Sequence, residues 1–151
     1  MHARRRFVEA MLVLNIKGLT DEQVLMLPEA QAILLIREIY LAETPLKSLS
    51  PEERLLQRKE KVLPKVNAFF EFIRTIDVSN PLTSEKLKDA VSYALNQEEN
   101  LRRFLSDGNI PPDNGSALSE QITYPQLFTE CVDNKASSVS KLRINLLPET
   151  A

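Results

Sequence analysis

Residues 50–76, SPEERLLQRKEKVLPKVNAFFEFIRTI, decide how this chain folds. Ser50 can accept a hydrogen bond from the backbone of Glu53, and Glu53 can reach back to close a capping box. Pro51 already has the backbone angle of a first helical position. Behind this start, Leu55, Leu56, Val62, Val66, Phe69, Phe70 and Ile73 are candidates for a buried face. The spacing predicts a helix over 50–76 with a kink or break near Leu63, because Pro64 has no N–H for the i→i−4 bond. Phe69, Phe70 and Phe72 read as core beside Ile73 rather than as a base-stacking platform, since basic neighbours are sparse.

Towards the N-terminus, Phe7, Ala10, Met11 and Leu14 fall on one apolar face, so a helix is expected over 3–15 and Gly18 closes it. Thr20 and Gln23 form a second capping box that opens a short turn. Pro28 can start a helix over 28–43 whose core face is Ala32, Leu35, Ile36, Ile39 and Tyr40. Towards the C-terminus, 77–81 is a turn, and Thr83 or Ser84 caps a long helix to about Ser106. That helix presents Leu87, Ala90, Val91, Ala94, Leu101, Phe104 and Leu105, and Gly108 is its expected left-handed terminator. Beyond Gly108 the periodicity is lost, and 119–151 reads as a poorly ordered tail. The organisation is therefore a helical domain over 1–108 followed by a loop and irregular tail over 109–151.

Composition agrees with a mainly α chain. Of 151 residues only 3 are Gly and none is Trp, while 43% are hydrophobic and 26% charged, which argues against full disorder. The net charge of −2 does not advertise a nucleic-acid partner, although a local basic patch can still bind phosphate. One cysteine, Cys131, excludes an internal disulfide and a thiolate cluster, and one histidine, His2, argues against a zinc site or a Ser-His-Asp triad. No metal site of the chain's own is expected. The cysteine usage suits a reducing cytoplasm. No apolar run approaches the ~20 residues of a membrane span, so no membrane association is expected. Arg4, Arg5 and Arg6 precede an apolar stretch, but Glu9 interrupts it and no small-residue cleavage site follows, so it reads as a cytoplasmic helix.

Three stretches carry a resemblance to a known family. His2-Ala3-Arg4-Arg5-Arg6-Phe7 is similar to a C-W-A-H-A-R-R-K-F segment. Ile36-Arg37-Glu38-Ile39-Tyr40, with Leu49-Ser50-Pro51-Glu52-Glu53-Arg54 and Arg58, resembles a helical insertion. Tyr93-Ala94-Leu95-Asn96-Gln97, Leu101, Phe104-Leu105 and Asp107-Gly108 resemble Y-x-L-N-Q-W-x-x-L-x-x-Y-L-x-D-G, which runs on into Ile110-Pro111-Pro112-Asp113-Asn114. In order and spacing these look like the insertion sequence 66 family of bacterial DDE transposases, over about Met1 to Asn114.

The resemblance implies the helical insertion domain of a ribonuclease-H-like transposase, with the core sheet missing; the periodicity predicts four or five helices, two of them long. It implies DNA, the transposon ends, as partner, with Arg4, Arg5 and Arg6 as phosphate-contact candidates; a solvated helix face fits the same residues. For the intact family it implies Mg2+, but none for this chain. On the resemblance, the first two catalytic aspartates belong to an upstream half. Where the family continues D-N-N-x-x-E-R, Asp113 and Asn114 match, yet Leu118 and Ser119 stand at the Glu-Arg positions. Glu120 comes two residues late, a rotation of roughly 200° on a helix. Asp113 and Asn114 are thus a motif remnant and Glu120 a weak candidate ligand. Three readings stay open: a transposase fragment inactive alone, a helical module that binds or inhibits full-length transposase, and a decayed reading frame.

Overall fold

The computed structural model describes residues 2–112; the expected tail, with Asp113, Asn114, Glu120 and Cys131, lies outside the described residues. Among the described residues there are helices and turns and no strand. Seven α-helices appear in this region: α1 (His2–Leu12), α2 (Asp21–Leu25), α3 (Pro28–Glu43), α4 (Pro51–Gln57), α5 (Leu63–Arg74), α6 (Glu85–Asn96) and α7 (Glu98–Arg102). The helices are more numerous and mostly shorter than expected, because both long helices are interrupted.

The cap signals work as local chemistry demands. Thr20 and Gln23 exchange hydrogen bonds of 3.2 and 2.9 Å at the start of α2, and Ser50 and Glu53 do the same at 3.3 Å before α4. Ser84, not Thr83, caps α6, with its Oγ accepting from Leu87 N at 3.2 Å. The Thr83 hydroxyl instead donates to Asp77 O at 2.8 Å and ties off the 77–83 turn. α3 runs over its expected span. α1 stops at Leu12, short of Asn15, and Gly18 at φ +86° turns the chain towards α2.

Pro64 does not produce a simple kink. The preceding residues Arg58–Val62 widen into a π turn, with the Leu63 N–H bonded to Arg58 O, and α5 starts with proline in its first turn. The wider turn accommodates a ring that would collide with the carbonyl four residues back. The expected 83–106 helix breaks at Gln97 (φ −102°, ψ 10°) and ends in a 3-10 turn, Arg103–Leu105. Another 3-10 turn, Thr44–Ser48, joins α3 to α4.

α1 packs against α3 and α6, and α3 packs against α5. Their apolar faces meet in one core that includes Phe7, Met11, Ile36, Phe69, Phe70, Ile73, Leu87 and Ala94. Phe69 meets Phe7 edge-on at 5.9 Å and Phe70 at 5.1 Å, the arrangement aromatic quadrupoles prefer. Phe69 and Phe70 are core, as their spacing indicated, whereas Phe72 is only partly buried and packs against its edge. Leu35, Tyr40, Leu101 and Leu105 only border it, and Leu56 is 67% exposed. α4 is not an apolar-faced helix. Arg54 of α4 and Arg58, which opens the π turn directly after it, lie four residues apart, and both side chains point inward.

Candidate functional site

The segment that leads out of the helical body, residues 104–112, is held by arginine side chains. A guanidinium is a planar fork of N–H donors with no acceptor, so when buried it needs several oxygens in its plane. Arg58 is 1% exposed and finds them. Its Nε donates to both carboxylate oxygens of Glu43 at 3.0 and 3.1 Å, and Nη2 donates to Glu43 Oε1. Nη1 is shared among the carbonyls of Phe104 (2.7 Å), Asp107 (3.0 Å) and Ile110 (2.9 Å). The guanidinium carbon also lies 5.0 Å from the centre of the Phe104 ring.

Arg54 does the same one turn earlier. Its Nη1 donates to Gly108 O at 2.8 Å, Nε to Leu46 O at 3.0 Å, and Nη2 to Lys47 O at 3.0 Å and Leu49 O at 2.9 Å. Gly108 does not have a positive φ; among the described residues only Gly18 does. The expectation of a left-handed terminator is therefore corrected. Gly108 matters because a Cβ there would lie 1.9 Å from Pro51 O, so the backbones touch where a side chain cannot fit. Asp107 caps its own turn: the Asn109 backbone N–H at 2.8 Å, then the Asn109 side chain at 3.0 Å, hold its carboxyl below the usual range.

The segment forms one wall of a cleft of about 410 Å³ between the start of α1 and the α6–α7 junction. Phe104, Ile110 and Pro112 line that wall, with His2, Tyr93 and Asn100 among the residues facing it. Arg103 also lines the cleft and donates to Asn100 Oδ1 at 2.9 Å. Arg6 stacks over the Tyr93 ring at 4.1 Å. Stacking engages the face of a guanidinium, and its donors lie in the plane. Arg5 is exposed and pairs with Glu9 at 3.1 Å along α1, while Arg4 is partly buried and has an interaction of its own. The first turns of α1 thus bring Arg6 to the cleft edge through Tyr93 and leave Arg5 on the outer surface.

Magnesium takes oxygen ligands in near-octahedral array. Among the described residues no three His, Cys, Asp or Glu side chains are placed to hold a metal ion, so the described residues do not fit one. Asp113, Asn114 and Glu120 cannot be placed in the site, since they lie outside the described residues. Sequence reasoning noticed Arg54 and Arg58 only as pieces of a motif. The available signal was two arginines one turn apart on a helix with few apolar residues.

Two further arginines form a separate cluster. Glu98 accepts from Arg102 at 2.9 Å and from Arg74, and both guanidinium carbons lie near the Phe70 ring. Burial pushes the Glu98 carboxyl up, but the two arginines outweigh it and bring it below its ordinary value.

A family model described as "Transposase IS66 family" matches residues 1–118. A curated relative from Sinorhizobium fredii (strain NBRC 101917 / NGR234), "Uncharacterized protein y4qI", is 28% identical over 128 residues, covering 85% of this chain and 21% of its own length. The chain thus spans about a fifth of that relative. No solved structure matches.

Proposed function

The chain belongs to the IS66 family of transposases, and from that premise we propose that it is a DNA-contacting helical module which performs no strand transfer alone. The observation that carries this reading is the family match across residues 1–118, with a mainly helical body, strand-free among the described residues, under most of it. We read that body as the helical insertion domain of a ribonuclease-H-like enzyme working in the cytoplasm. The exposed side of α1 supports contact with phosphate: Arg5 and Arg6 lie there, with Arg4 partly covered beside them, and Arg103 lines the neighbouring cleft. Surface cations bind a DNA backbone by releasing counterions, without reading base sequence.

Strand transfer needs carboxylates that converge from separate parts of a fold on divalent ions. Asp113 followed by Leu118 at the matching glutamate position is a poor start for such a set. Magnesium belongs to the intact enzyme in this reading. The test is purified chain, magnesium and a duplex carrying the element's terminal repeat. Retention of intact duplex is expected; cutting or joining of the ends sinks the inactivity claim, and no binding at micromolar protein sinks the DNA claim.

A second reading, association with full-length transposase, is favoured by apolar side chains left uncovered between the end of α1 and the end of α2: Leu12, Val13, Leu19 and Met26 are exposed. The relative's much greater length leaves ample chain to cover them. Pull-down with the intact enzyme decides it, and absence of association at micromolar protein removes this reading.

A further inference from the structure

The 104–110 segment has little regular structure to fix it. Its own backbone bonds are short-range: Ser106 N to Arg103 O at 3.1 Å and Ile110 N to Asp107 O at 3.1 Å. Yet four of its carbonyls accept hydrogen bonds from two arginines 46 to 54 residues earlier in the chain. The Cβ-less Gly108 lets this stretch press directly on Pro51.

We propose that Arg54 and Arg58 are positioning residues that preform one wall of the cleft by fixing the path of residues 104–110. The carbonyls they hold belong to Phe104 and Ile110, which line the cleft, and to Asp107 and Gly108 between them. Glu43 is the anchor of the device. By taking the Nε edge of Arg58 it aims Nη1 at the three carbonyls, a division of labour that only a planar fork allows. Lysine at either position keeps the charge but cannot address several carbonyls from a fixed plane. A preformed wall also spares a ligand the entropy of ordering that turn on binding. None of this depends on what the cleft binds.

Hydrogen exchange of the full chain, read by mass spectrometry beside the thermal midpoint, tests it with Arg54→Lys and Arg58→Lys. Arg54 is the less buried of the two, so its variant keeps the test alive should Arg58→Lys fail to fold. In Arg54→Lys, amides of 106–110 should exchange about tenfold faster while those of α1, α3 and α5 keep their protection. Gly108→Ala should give the same local signature through Pro51. Unchanged exchange over 106–110, or an equal rise through every helix, overturns the positioning role. A second readout rests on the DNA reading and needs a variant without the charge: in Arg54→Gln the affinity falls several-fold with an unchanged salt slope. A slope change alone makes Arg54 a phosphate contact and overturns the proposal; failure of the unsubstituted chain to bind removes only the DNA reading, because the exchange result still decides this one.

Discussion

A guanidinium taken out of water without an anion is several kcal/mol unfavourable, so the burial of Arg58 depends on Glu43. Glu43→Gln removes the charge and leaves the cation in place. The expected loss is about 3–5 kcal/mol, a large part of a typical total of about 5–15 kcal/mol, read as a fall in the urea midpoint. Replacing the pair by Leu and Met should recover only part of this, because the Phe104, Asp107 and Ile110 carbonyls then lose their donor. Two glycines separate conformational from steric need. Gly18→Ala faces open space but a φ of +86°, a strain of about 1–2 kcal/mol. Gly108→Ala meets a backbone carbonyl that cannot step aside, and should be the more damaging of the two. Glu29 gives a pH prediction. Burial holds its carboxyl above the ordinary value, so ionisation works against the fold. That opposition is present above the raised folded pKa and is relieved as pH falls through it towards the unfolded value. Glu29→Gln should therefore raise the midpoint at neutral pH and give less gain on acidification.

At the scale of elements, whatever depended on neighbours within four residues was legible. The Thr20 and Ser50 capping boxes and the proline start of α3 are local bargains between side chain and backbone, and they stand where the sequence places them. Ser50→Ala should lose about 1 kcal/mol, measurable by chemical unfolding. What was misread depended on distant partners. Leu55 and Leu56 fit a helical apolar face, but the inward positions in and just after α4 belong to Arg54 and Arg58, whose carbonyl partners lie as far as 54 residues on. Gly108 matched the terminator pattern, yet its meaning comes from Pro51, which no local pattern contains. The α6 periodicity runs on past Gln97, where the backbone bends and Glu98 meets Arg74 of α5. Asp113 and Glu120, the acidic half of the expected site, fall outside the described residues.

At the scale of the molecule, α1 is the central element: its inner face fills the core between α3 and α6, and its outer face carries the arginines. Phe69→Ala, which empties the meeting point of α1 and α5, should destabilise by about 3–5 kcal/mol. No helix among the described residues is long and apolar enough to cross a membrane. With a formal net charge of −2, binding to DNA has to come from a patch rather than from the whole surface. About three phosphate contacts would make log affinity fall against log salt with a slope near −3, and Arg5→Ala should lower that slope by about one. The most direct measurement of the central claim is a salt titration of binding to a terminal-repeat duplex in magnesium, with the recovered DNA run on a denaturing gel. The account predicts salt-sensitive binding and uncut strands. Duplex that is cleaved, or that never binds at micromolar protein, contradicts it.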